Sequence, residues 1–131
     1  KSFESRFFRI PDVIVNHFAT VIDVERNEVT LKIVEIRTVV IGNPWKNWIF
    51  VIVGEDKRFQ GIGEATGGLN TQPIVAEINE IKHLLLGKDP RKIHEIYQNL
   101  FLLTYLNISK ALAGIETACW DILAQTLKVP L

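Results

Sequence analysis

From Leu31 to Ile41 apolar and polar residues alternate, and Val34, Ile36, Thr38 and Val40 fall on one face of a pleat, so this stretch reads as a first strand. Trp48 to Val53 is nearly all apolar, with a compact β-branched run from Ile49 to Val53, and reads as a second strand. A charged turn, Glu55-Asp-Lys-Arg58, then sends Phe59 to Ala65 back beside it, and an antiparallel three-stranded meander results.

The apolar period then changes from two to 3.6. Ile74, Ile78, Ile81 and Leu85 recur at helical spacing, with Thr71 as cap, Pro73 in the opening turn and Gly87 as terminator. Asp89-Pro90 supplies N-cap and first position of a second helix, whose stripe is Ile93, Ile96, Tyr97, Leu100 and Leu103. A third starts near Asn107 or Ser109 and carries Leu112, Ile115, Cys119 and Ile122 on one face, together with the side of Thr126. Val129-Pro130 stops it. The fold class expected is α+β: a three-stranded antiparallel sheet followed by a helical bundle.

Residues 1–28 stand apart as an N-terminal extension. Val13-Ile-Val15 and Phe18 to Val24 are β-prone around Asn16-His17, so a loose hairpin and an unstructured leader are equally good readings, and no function is assigned. At 131 residues there is room for one domain, with roughly two thirds of its unfolded surface buried. Fifteen basic and fifteen acidic side chains cancel, which removes the electrostatic case for nucleic acid or an anionic membrane. Apolar runs such as Leu84-Leu-Leu86 fall far short of the roughly 20 residues of a membrane span. Cys119 has no partner for an internal disulfide and no secretory segment precedes the domain, so a cytoplasmic setting is expected.

Candidate chemistry is sparse. Gly61-Ile-Gly63 begins like a dinucleotide fingerprint, but the third glycine would fall at Thr66, Glu64 stands where a pyrophosphate would sit, and the following helix starts too late. Glycines that permit a strand-end bend and a close backbone approach are the better reading. His17, His83 and His94 have no metal-binding spacing, and Cys119 lies on an apolar helix face as a small buried hydrophobe. Glu116 and Asp121 read as polar anchors of the third helix to neighbouring elements, since neither has a sequence partner to perturb it. No catalytic or metal-ligating residue is assigned.

Two linked segments carry a further signal. Asn43-Pro-Trp-Lys-Asn-Trp48 and Gly61-Ile-Gly-Glu-Ala-Thr-Gly-Gly68 each sit where a strand gives way to a loop, and Gly114-Ile-Glu-Thr-Ala-Cys-Trp-Asp-Ile-Leu123 follows in order. Together, over about residues 30–131, they resemble the N-terminal capping domain of the mandelate racemase and muconate lactonizing enzyme group of the enolase superfamily. That domain is expected over 29–131. The likeness implies a (β/α) barrel starting where this sequence reaches Lys128-Val-Pro-Leu131, so the chain is expected to be truncated before its catalytic barrel. It departs from the family in lacking a glycine near Arg58, which implies a differently shaped hairpin tip.

The resemblance also implies a function. Such enzymes abstract the proton α to a carboxylate, with magnesium stabilising the ene-diolate, and base, acid and metal ligands all belong to the barrel. Magnesium is therefore expected of the full-length enzyme and not of this chain. What transfers is a substrate-facing lid: Trp45, Lys46, Thr66, Gly67 and Asn70 are the candidate substrate-binding residues. Trp45 is either a wall that excludes water or local packing on Pro44 and the sheet, with Trp48 in the core. Lys46 is either a contact to a substrate carboxylate or, more simply, a solvated charge. Thr66 and Asn70 offer hydrogen bonds and Gly67 mobility, a lid being preferred to a plain connector. The tryptophan-rich loop most resembles acid-sugar dehydratases; racemases and cycloisomerases are rivals, as are a non-catalytic remnant and an interaction module. The expected partners are a small acid-sugar carboxylate, in the presence of a barrel, and further copies of the chain.

Overall fold

A computed structural model describes residues 30–42, 44–55, 58–103 and 109–131, and the side chain of residue 103 lies outside that description. The extension read over 1–28, Asn43, the hairpin-tip residues 56 and 57, and the alternative helix start at Asn107 all lie outside the described residues.

Within the unit Leu31–Leu131, strands β1 (Ile33–Ile41), β2 (Trp48–Glu55) and β3 (Phe59–Glu64) form one antiparallel sheet in the order β1-β2-β3. Three helices follow: α1 (Thr71–Ile81), extended by a 3-10 turn over Lys82–Leu84, then α2 (Ile93–Leu103) and α3 (Lys110–Leu127). This is the α+β arrangement expected from the change of period.

Alternation along β2 sets the core. Ile49, Val51 and Val53 point to one side and are fully buried, and across from them lie Val40, Thr38 and Ile36 of β1. The expectation that Val34 shares this face does not hold, because the register shifts between Ile33 and Glu35. That bulge turns Ile33 inward and leaves Val34 57% exposed. One extra residue inverts the alternation, and nothing in the local pattern marks it. Glu55 continues the inward parity of β2 and is buried, with its Oε2 making no hydrogen bond among the described residues.

Helix α3 lies across the core face of the sheet at unusually close range. A Cβ at Gly61 would collide with the carbonyl oxygen of Ala118, and one at Gly63 with that of Gly114. From the helix side, a Cβ on Gly114 would come within 2.8 Å of both Ala65 Cβ and Val51 Cγ2. The glycines expected to allow a close backbone approach do so on both elements at once. The helix also occupies the open edge of the sheet: Asp121 Oδ2 accepts from the Ile62 N–H at 2.9 Å, and Gln125 Nε2 donates to the Gln60 carbonyl at 2.7 Å. Edge-strand groups that would otherwise recruit another strand are thereby occupied. Asp121 is the anchor expected of it. Glu116 is not, since it accepts from Trp120 Nε1 one turn along the same helix.

The helix ends follow from local chemistry. Ser109 caps α3, accepting from the Leu112 N–H at 3.0 Å, and Lys128 closes it in a left-handed conformation with φ 56°. Asp89 Oδ1 accepts from the Arg91 N–H at 2.9 Å and its carboxylate pairs with the Arg91 guanidinium, holding the turn that precedes α2. For α1 the N-cap position is Asn70, without a side-chain capping bond, so Thr71 is the first helical residue and not the cap. Its hydroxyl is used elsewhere.

Candidate functional site

Antiparallel pairing brings both linked loops to one end of the sheet. Ile41, the last residue of β1, pairs with Trp48, the first of β2, while Glu64 at the end of β3 pairs with Phe50. The β1–β2 loop and the segment from Ala65 to Asn70 therefore leave the sheet side by side.

Three hydrogen bonds tie them at their bases. The Ala65 N–H donates to the Ile49 carbonyl at 2.8 Å, the Ile49 N–H donates to Thr66 Oγ1 at 3.1 Å, and Asn47 Nδ2 donates to Thr71 Oγ1 at 3.1 Å. Beside these ties opens a cleft of about 240 Å³, lined by Pro44, Trp45, Lys46 and Asn47 from the first loop and by Gly68, Leu69 and Thr71 from the second segment and the start of α1. Small-molecule pockets usually measure roughly 300–1,000 Å³ and enclose most of their ligand. An open cleft of this size is one wall of a site.

The candidate residues divide. Trp45 and Lys46 line the cleft, and Trp45 is 82% exposed, so it packs neither on the sheet nor in the core. Trp48 is half-buried where a core position was expected, and Lys46 Nζ sits 4.3 Å from the centroid of its ring. That contact holds the ammonium at the rim by attraction to the ring face. Thr66 turns to the Ile49 amide and does not line the cleft. Gly67 lies over Ile74, where a Cβ would collide with Cδ1, and its carbonyl accepts from the Asn70 N–H at 3.4 Å. Asn70 is exposed at the start of α1, beside the cleft wall.

Five lining residues were not among the candidates: Pro44, Asn47, Gly68, Leu69 and Thr71. Leu69 is 90% exposed and lines the same cleft as Trp45. For Thr71 a signal exists in the spacing, since position 71 falls on the stripe of Ile74 and Ile78, where a polar side chain needs a partner. Its partner, 24 residues away, has no local signature.

Elsewhere the titratable groups do not converge. Among the described residues no group of three His, Cys, Asp or Glu stands close enough to hold a metal ion, and His83 and His94 are exposed. Burial, with a smaller contribution from the Glu116 charge, pushes the Cys119 thiol up to about 12, which keeps it protonated and unreactive at neutral pH. No helix among the described residues is long and apolar enough to cross a membrane.

Comparison with known proteins places these features in a family. The mandelate racemase / muconate lactonizing enzyme N-terminal domain profile matches residues 21–131. A D-galactonate dehydratase of Xanthomonas euvesicatoria is 32% identical over 88 residues, covering 64% of this chain and 23% of its own, and one from Variovorax paradoxus is 30% identical over the same shares. The chain thus spans about a quarter of the length of these relatives. A solved enolase from Pantoea ananatis with D-gluconate and magnesium bound superposes with a TM-score of 0.68 at 27% identity, over 74% of this chain and 25% of that one.

Proposed function

The chain belongs to the mandelate racemase / muconate lactonizing enzyme N-terminal domain family, and on that footing we propose that it is the substrate-capping domain of a magnesium-dependent acid-sugar dehydratase. The reaction removes the α-proton and the β-hydroxyl of a polyhydroxy carboxylate as water, and the resulting enol becomes a 2-keto-3-deoxy acid. The observation that carries this reading is the cleft between the two loops, with an exposed tryptophan, an exposed leucine and an ammonium at one open end of the domain. Dehydratase names among relatives at about 30% identity support the reaction class.

In this proposal the chain binds and excludes water, and it does no proton transfer. Trp45 and Leu69 present apolar surface to the carbon-bound hydrogens of the sugar chain, and Lys46 offers a donor and a positive charge to its oxygens. The described residues do not fit a magnesium site, so the metal, the base and the acid are assigned to a barrel domain. The enzyme is further proposed to be cytoplasmic and homo-oligomeric.

The test is turnover. The chain joined to its barrel, with magnesium and a panel of acid sugars, is expected to release 2-keto-3-deoxy acid, while the 131-residue chain alone releases none. Racemisation or cycloisomerisation without loss of water would replace the dehydratase reading by its rivals.

A further inference from the structure

We propose that Asn47 and Thr71 are positioning residues which join the two loops into a single lid and set the separation of Trp45 and Leu69. This rests on the capping reading for its use, though not for its geometry. Large apolar side chains 82% and 90% exposed, contributed to one cleft by two different chain segments, gain nothing from water. They act as jaws only if their bases keep a constant distance. Asn47 Nδ2 donates to Thr71 Oγ1 across the base of the cleft, and Thr71 is nearly buried as the first residue of α1. That helix is anchored in the core by Ile74 and Ile78. The loop that carries Trp45 is therefore tied, through Asn47, to the first residue of α1, two residues past Leu69. The second cross-tie, Ile49 N–H to Thr66 Oγ1, lies deeper, at the sheet.

Two properties follow from a shared bond. Loss of either partner removes the whole tie, and loss of the second partner then adds nothing. A hydroxyl is required at 71, so serine serves where valine does not.

Amide hydrogen exchange on the 131-residue chain tests this without any substrate. Thr71→Val is expected to speed exchange about fivefold at the Ile49 amide, two residues past Asn47 and hydrogen-bonded to Thr66 Oγ1, the effect of one lost hydrogen bond on a local opening. Asn47→Ala is expected to do the same at residues 67–71, the double variant to match the singles, and Thr71→Ser to leave exchange unchanged. An unchanged Ile49 amide in Thr71→Val, or additive effects in the double variant, would overturn the proposal. So would a parallel rise in exchange at residues 111–122 of α3, because the bond would then serve the whole fold. In the enzyme joined to its barrel, both single variants are expected to shift the ratio of kcat/KM between acids while Thr71→Ser does not. Failure of the exchange test condemns the tie alone, whereas absence of dehydration by the unaltered enzyme condemns the reaction assigned to it.

Discussion

The seam between β3 and α3 and the cleft at the end of the same sheet share strands and differ in everything that governs tolerance to change. At the seam, backbone meets backbone: Gly61 and Gly63 lie against Ala118 and Gly114 with no volume for a methyl group. At the cleft, Trp45 and Leu69 stand in the open, and the loops beneath them depend on single hydrogen bonds. Packing density makes the first a scaffold, and its absence leaves the second free to vary.

The largest effect that sharpens this contrast is expected at Gly63. Gly63→Ala drives a methyl group into the Gly114 carbonyl, and neither backbone can yield without separating sheet from helix; a loss of about 3 kcal/mol or more is expected. Gly54→Ala is the control, since a Cβ there meets Glu35 Cβ at an ordinary 3.6 Å and should cost less than about 1 kcal/mol. Urea unfolding of the two variants measures the difference, and equal midpoints would dissolve the seam as a special feature.

At the cleft the expectation reverses. Trp45→Ala and Leu69→Ala should leave stability within about 0.5 kcal/mol of the parent, because little is buried to lose. In the enzyme joined to its barrel they should alter discrimination between acid sugars by about 1–3 kcal/mol, read as ratios of kcat/KM. Uniform losses for every acid, or a falling urea midpoint, would make these residues part of the scaffold.

A smaller change is expected at the rim of the seam. Asp121→Ala frees the Ile62 amide at the outer edge of β3, and about 1 kcal/mol of stability should go with it. Light scattering at high concentration should show more self-association as well, since the edge is uncovered.

The least effect belongs to Asp89, outside both regions. Burial alone would raise its pKa, but hydrogen bonds and charge from Arg91, with Lys92 adding charge, outweigh that and hold the carboxyl below its ordinary value. A depressed folded pKa means that the contribution is complete above the unfolded value, about pH 4, and fades as pH falls through the folded one. Thermal unfolding of Asp89→Asn should therefore lie slightly below the parent at pH 7, by less than about 1 kcal/mol for a partly exposed pair, and converge with it toward pH 2.

Sequence alone determined what depends on neighbours along the chain. Period two and then 3.6 placed three strands and three helices, Asn107 and Ser109 bracketed a helix start that the structure puts at Ser109, and the glycines at 61 and 63 signalled a close approach, because propensity, capping and pleat alternation act over a few residues. The two loops that bear the cleft were legible as loops for the same reason. Tertiary structure decided the rest. A bulge between Ile33 and Glu35 turned Val34 to solvent, Thr66 was claimed by the Ile49 amide, and Leu69 and Asn47 came to line one cleft that no local pattern assigns them. Each of these depends on a partner more than ten residues away, where register and packing choose among side chains that local chemistry leaves equivalent.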